Sequence, residues 1–429
     1  MPDQISYLLK KKVFLPFFLT QFFGAFNDNA YKLSILTLIS YHLSTTPTQS
    51  EHYQAWAGAL FILPFFLFSA TAGQLADKYD KARMARWVKS FEVLLMIVGA
   101  FALYYQTVFL MMIVLTGMGI HSSFFGPLKY AILPDLLPRP LLLNATALIE
   151  SSTFLAILLG TTFGALVIGS TDAHISYAIV LTNIIAILGL LSSLFIPNTP
   201  PKIETLKVDW RVWHATRLML KETMLNKKVL PTIFTISWFW LLGAVVLTKL
   251  PDYMHYVLNA DTTVFAVFLA LFSIGIAFGS IAIGYFLGGK ITLKYVPLAM
   301  LLLSAFAIDL YFASPKVTST LPLQELSVFF TQINNIRVTI DFFLFSFCGG
   351  LFIVPLYTFL QVASEDDMRA RVIASNNIFN ALFMVLGSLL VMFLLYLQLG
   401  ITVIFLILAI LNAIVAIGLW LLLRNYFKN

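Results

Sequence analysis

Hydrophobic residues in this chain fall in long unbroken runs separated by short polar stretches. Runs of about 20 apolar residues cross a bilayer as helices. Twelve are read here: 13–40, 53–76, 84–105, 107–131, 142–169, 175–196, 229–250, 262–287, 293–313, 338–361, 372–397 and 400–423. Short turns join most of them. Two connections are longer: 197–228, which separates six runs from six, and 314–337, between runs 9 and 10. The pattern predicts an all-α membrane protein of twelve transmembrane helices. Two six-helix halves, 1–196 and 229–429, flank a linker at 197–228.

The linker has its own periodicity. After Pro197, Pro200 and Pro201, the segment Asp209–Lys221 places Trp210, Trp213 and Leu220 on one side and Arg211 and Lys221 elsewhere. This predicts an amphipathic helix lying on the membrane surface and tethering the halves. A weaker version is read at 323–333.

Charge orients the spans. With the N-terminus inside, 23 of the 27 Lys and Arg fall at cytoplasmic ends and loops; only Lys32, Lys249, Lys316 and Arg337 fall elsewhere. The positive-inside rule then predicts that both termini are cytoplasmic. Composition narrows the class. Hydrophobic residues make up 60% of the chain, charged residues 11%, and mean hydropathy is +0.89. A soluble globular domain carries about a quarter charged residues. The net charge of +7 sits in loops between apolar runs, so it reads as topology and not as a nucleic-acid surface. The first run is too long and too polar at its centre for a cleavable signal, and none is expected. The single Cys348 and the six scattered His imply no disulfide framework, metal cluster or cofactor. No His is followed five residues on by an acid, and no Gly-x-Ser-x-Gly elbow occurs, so an embedded enzyme is not expected.

The most informative run is the first. Within it lies Gln21-Phe-Phe-Gly-Ala-Phe-Asn27-Asp28-Asn29-Ala-Tyr31-Lys32. Asp28 and Lys32 are one helical turn apart, on the face that carries Gln21 and Ala25. An ionisable group inside hydrocarbon normally faces a protein interior or a wet cavity. Two readings stand side by side: a polar anchor for substrate, or a self-neutralising pair with Lys32 snorkelling outward. At 1.5 Å per residue, Asp28 lies about 22 Å and Lys32 about 28 Å from Val13. Lys249 lies about 30 Å from Val229, and Glu150 about 12 Å from the inner edge of its span. Lys129 is read either as an inner-surface anchor or as a phosphate contact.

The halves also repeat. Asn144-Ala-Thr-Ala-Leu-Ile-Glu150 leading to Gly160 in span 5 parallels Arg371–Asn377, with Asn380, leading to Gly387 in span 11. Glu150 and Asn377 each precede their Gly by ten residues. A parallel six-plus-six repeat pairs these two spans, and such repeats rock about a midplane site.

Between spans 2 and 3 stands Gly73-Gln-Leu-Ala-Asp77-Lys-Tyr-Asp80-Lys81-Ala-Arg83. It resembles the loop motif of the major facilitator superfamily, in which such a cluster latches the halves in one state. The resemblance implies that fold, with a parallel pseudo-two-fold, and latch roles for Gly73, Asp77, Lys81 and Arg83. Four blocks narrow it. Gln21–Lys32, Gly126-Pro-Leu-Lys129-Tyr-Ala-Ile-Leu-Pro-Asp135, Asn144–Gly160 and Gly349-Gly-Leu-Phe-Ile-Val-Pro355–Gln361 are together similar to the bacterial lysophospholipid transporter family. Asn27 stands where that family carries Gly, and Lys32 has no assigned counterpart. The resemblance implies a monomeric flippase of the bacterial inner membrane. It would carry lysophosphatidylethanolamine-like lipids from the outer to the inner leaflet for reacylation by a separate acyltransferase or acyl-carrier protein synthetase. The substrate-contacting residues would come from Asp28, Asn29, Lys32, Lys129, Glu150, Lys249, Asn377 and Asn380, with membrane lipids around them. The alternative is a drug, siderophore or other amphiphile transporter of the same fold, coupled to protons through Asp28, Glu150 or Asp309.

Overall fold

A computed structural model describes residues 2–169, 173–315 and 322–426; Lys316 and Lys428 lie outside them. Twelve long helices account for most of the chain. In order they are α1 (Leu15–Leu38), α2 (Pro47–Lys78), α3 (Lys81–Tyr104), α4 (Val108–Ala131), α5 (Leu142–Ile168) and α6 (Ile175–Leu194). Then come α7 (Leu230–Asp252), α8 (Thr262–Phe286), α9 (Val296–Ala313), α10 (Ile333–Ala363), α11 (Arg369–Tyr396) and α12 (Ile401–Tyr426). Among the described residues there is no β-strand, only an isolated bridge between Ala260 and Gln324. Eleven of these helices are long and apolar enough to cross a membrane. The exception is α1, 24 residues long and interrupted by Gln21, Asn27, Asp28, Asn29 and Lys32. It completes the twelve expected spans, and its polarity has partners described below.

The chain packs as two compact units. Residues 1–230 with 361–378 form one, and 231–360 with 379–429 form the other. The residues that open α11 therefore belong to the first unit's packing.

Within the first unit, α1 lies closely against α5. Gly160 and Gly164, one turn apart, face the backbone of Phe26 and Ala30, where any β-carbon would collide. Small residues at this spacing let membrane helices approach to backbone contact. The second unit uses the same device between α8 and α10, where Gly279 faces the Phe347 carbonyl and Gly350 faces Ile276. The repeat read from sequence is visible here. Gly160 of α5 packs on α1, and Gly387 of α11 packs on Leu241 and Val245 of α7. Both α1 and α7 run into a five-residue π-helical turn, Ile39–Leu43 and Tyr253–Val257.

The linker helix is Val212–Leu225. Its buried side is Ala215, Thr216, Met219 and Thr223, not the Trp side. Ala215 and Met219 pack with Ala70, Ala374 and Ile378, and Leu220 borders that cluster. Trp210 and Trp213 are about 70% exposed, which suits indole rings at a membrane interface. Asp209 precedes the helix and accepts from the Arg211 amide at 3.0 Å. Side-chain hydrogen bonds from Arg211 and His214 hold its carboxyl well below the usual carboxylate range. The helix expected at 323–333 is only one turn, Leu326–Phe329. The chain then turns into α10, which starts at Ile333, ahead of the expected 338.

Candidate functional site

The first unit holds two polar layers along α1. Gln21 anchors one. Its amide donates to Ser152 Oγ and accepts from Thr153 Oγ1 at 3.1 Å, tying α1 to α5. Lys129 of α4 donates to Thr153 Oγ1 at 2.7 Å, and its Nζ lies 3.6 Å from Glu150 Oε1. Tyr130 donates to the same carboxylate. Glu150 is fully buried, and its other oxygen has no hydrogen-bond partner among the described residues. Lys129 and Glu150, read separately from sequence, are thus one ion pair inside the bundle.

The other layer lies about 10 Å farther along α1 at 1.5 Å per residue. Asn27 donates to Glu92 Oε1 of α3 at 2.8 Å. Glu92 also pairs with Lys89, one turn earlier on the same helix. Both side chains are fully buried. His121 of α4 sits between two carboxylates. Its Nε2 is 3.1 Å from Glu92 Oε2, and its Nδ1 is 3.7 Å from Asp28 Oδ1. Neither contact is aligned as a hydrogen bond. The ring stacks on Phe125. Ser122 donates to Asp28 Oδ2, while Asp28 Oδ1 has no hydrogen bond. That oxygen is buried against the His121 ring. The Asp28 side chain retains 15% exposure, the most among the titratable side chains of this layer.

The remaining α1 residues separate. Lys32 is half-buried, with Nζ 5.5 Å from the Phe61 ring centroid of α2, and no ion pair joins it to Asp28 among the described residues. The two are not in direct ion-pair contact, although Asp28 remains close enough to act on Lys32 through its charge. Asn29 donates to its own helix at Ala25 O, 2.8 Å away. Asn377 points at Gly126 of α4 within the first unit.

Asn380, three residues on, packs in the second unit, where it accepts from Ser237 at 2.9 Å and donates to the Tyr357 hydroxyl at 3.4 Å. Lys249 pairs with Asp252 at 2.9 Å, close to the end of α7.

The loop motif is tightly tied. Asp77, fully buried, accepts from the Ala370 amide at 3.0 Å, the Arg371 amide at 3.3 Å and Arg371 Nε at 3.1 Å. These donors open α11, where free amides and the helix dipole favour an anion. Gly73 faces Ala374 and the Arg371 backbone, contacts that leave no room for a side chain. Lys81 pairs with Asp135 at 2.9 Å, which Lys202 joins at 2.8 Å. Arg83 is exposed, and its backbone amide donates to the Asp80 cap.

Lys89, Glu92 and His121 do not stand out as site residues in the sequence. Lys89 counts there among the cytoplasmic bases, yet it is buried eight residues into α3. The available signal is Lys89-Ser-Phe-Glu92, a base and an acid three residues apart inside an apolar span, with a lone His in the next span. Their meeting with Asp28 is tertiary.

A family model described as the Major Facilitator Superfamily matches residues 17–336. The chain belongs to that superfamily, a class of membrane transporters. Solved structures agree on the fold. The human organic anion transporter MFSD10 (TETRAN) superposes with a TM-score of 0.72 at 15% identity, covering 94% of this chain and 99% of that one. The transporter FucP in its outward conformation gives 0.71 at 14% identity, covering 95% and 98%. Within the superfamily, the chain is 26% identical over 362 residues to the lysophospholipid transporter LplT of Enterobacter sp. (strain 638), covering 82% of this chain and 80% of that protein. LplT of Photorhabdus laumondii subsp. laumondii is 24% identical over 360 residues, covering 81% and 80%.

Proposed function

We propose that this transporter moves lysophosphatidylethanolamine-like lipids from the outer to the inner leaflet of a bacterial inner membrane. Both termini face the cytoplasm, and the delivered lipid feeds reacylation by a separate enzyme. The observation that carries the reading is Asp28, a carboxyl group inside the first helix that is held by Ser122, faces His121 and still keeps 15% exposure. Similarity to lysophospholipid transporters over four fifths of the chain supports the substrate class.

The chemistry follows from the headgroup. Asp28 accepts the ammonium. Lys32, one turn on and in no ion pair among the described residues, meets the phosphate two carbons away. The Lys129–Glu150 pair offers the same two charges at the other layer, about two turns nearer the start of α1, where the headgroup is passed on. Lys249, Asn377 and Asn380 contribute from α7 and α11. The protein exchanges access to the two leaflets by rocking, and the Asp77 contacts with the first turn of α11 hold one state. Gly73 allows the close approach, and Lys81 positions the loop through Asp135.

Leaflet-resolved uptake of labelled lysophosphatidylethanolamine by reconstituted protein tests the reading. Inward movement of the lysolipid, and none of its diacyl counterpart, is expected. Transport of drugs or siderophores without lysolipid movement would establish the rival reading instead.

A further inference from the structure

The loop joining α8 to α9 occupies the same place in the second six-helix repeat as the loop between α2 and α3 in the first. Their basic residues are treated differently. In the first repeat, Lys81 is bound by Asp135, and Asp80 caps α3 by accepting from Ala82 N at 2.8 Å. In the second, Lys290 and Lys294 are exposed. No Asp or Glu occurs between Asp261 and Asp309. The second unit's ion pairs among the described residues are Lys249–Asp252 and Arg337–Asp309.

The loop is nevertheless built. Gly288 and Gly289 take φ of 56° and 80°, a left-handed turn that suits glycine. The Lys290 amide closes it on Leu287 O at 3.0 Å, and the Lys294 amide is held by Thr292 Oγ1 at 3.2 Å. The two lysines help to line a cleft of about 750 Å³. Its walls include Ile283, Phe286, Leu298 and Leu302, with Leu351 of α10 beside them. Phe286 is 70% exposed and Leu298 55%, so the cleft has an open apolar edge. Two exposed lysines lining a largely apolar cleft match an anionic amphiphile. Basic pockets between helices at the cytoplasmic membrane surface recognise such headgroups.

We propose that this cleft binds one anionic diacyl phospholipid of the cytoplasmic leaflet. Its phosphate sits between Lys290 and Lys294, and an acyl chain runs past Phe286 and Leu298 toward Leu302. It is a resident lipid, separate from the transported one. Only its leaflet rests on the topology in the proposed function. A zwitterionic lipid is disfavoured because its own ammonium meets the lysines.

Native mass spectrometry of the full-length protein, titrated with phosphatidylglycerol or phosphatidylcholine, tests this without using transport. One phosphatidylglycerol per chain should be retained preferentially. Lys290→Gln with Lys294→Gln should weaken that preference by about tenfold or more. Leu298→Trp, which keeps both charges and fills the cleft, should also release the lipid. Unchanged preference in the double variant overturns the proposal, as does competition by free glycerophosphate equal to that of the lipid. Retention of phosphatidylglycerol alongside absent lysolipid transport would sink the proposed function and leave this site standing.

Discussion

The two units solve the same problem, polar side chains inside a membrane protein, with different chemistry. The first buries charges: Lys89, Glu92, His121 and Glu150 are all at most 2% exposed. The second buries mainly neutral groups. Asn412 donates to Met300 O at 2.7 Å and Ser304 Oγ at 2.9 Å, and accepts from Trp238 Nε1 at 2.9 Å. Trp240 donates to Tyr357 at 2.9 Å, and Asn380 joins the same hydroxyl. In this unit Asp252 and Asp309 lie toward helix ends, and Asp341, eight residues into α10 and 5% exposed, is its one buried carboxylate among the described residues. A neutral network is satisfied by itself and mainly fixes packing. A charged one keeps strong, directional partners that a charged ligand can enter. The contrast marks the first unit as the one that concentrates buried titratable side chains, and the second as the one held mainly by neutral hydrogen bonds.

The largest test of that contrast is Glu92→Ala. It leaves Lys89 buried without its partner, and breaking a buried pair costs about 3–5 kcal/mol. Accumulation of folded protein should collapse. Adding Lys89→Met should recover much of it, as judged by detergent-solubilised thermal unfolding. A single variant as stable as the parent would mean that the charges in this layer are not coupled.

Asp28→Asn comes next. It keeps size and most hydrogen bonding but removes the charge offered to the ammonium. Binding of lysophosphatidylethanolamine should weaken by about tenfold, equivalent to 1.4 kcal/mol, with expression preserved. Lysophosphatidylglycerol, which lacks the amine, should lose less. Equal losses would make Asp28 a positioning residue for His121 and Ser122, and no loss for either lipid would remove it from the site.

Asp77→Asn should shift the balance of conformations several-fold while leaving lipid binding largely intact, since about 1 kcal/mol moves a balanced two-state equilibrium that far. Accessibility of cysteines introduced at Glu51 and Thr205, both exposed, reads the shift and the topology together. The native Cys348 is buried and should stay silent. With both termini inside, position 51 labels from outside and position 205 does not.

The smallest effect is expected in the neutral network of the second unit. Asn412→Ala removes interhelical hydrogen bonds worth about 0.6 kcal/mol each on average in membranes. A modest fall in melting temperature with unchanged lysolipid binding is expected. A large binding defect there would erase the distinction between the units.

Much of the architecture is legible in the order of residues. Run length alone requires helices in a bilayer, because each backbone amide must find its partner within the segment. That is a local property, so eleven spans, and α1 between polar interruptions, follow from the one-dimensional pattern. The correspondence of Gly160 and Gly387 is equally readable, since a repeat is a relation within the sequence. The linker helix is legible as well, but not its buried side. Trp213 marks the more apolar face, while Ala215 and Met219 are small enough and placed to fit against Ala70 and Ala374.

Charge partnership belongs to tertiary structure. Asp28 is conspicuous in the sequence because it interrupts an apolar run. Nothing in the order of residues says that it faces His121, 93 positions away, or that Asn27 meets Glu92. Lys89 looks like one more base at a helix end, and Lys32 looks like the partner of Asp28. Coulomb and hydrogen-bond energies depend on separations of a few ångströms, and those are set by which helices pack and at what rotation. Hydropathy along the chain settles which segments enter the membrane and which of them carry charge into it. Which charges answer one another is settled by the packing of α1 against α3, α4 and α5, because that alone sets the distances between them.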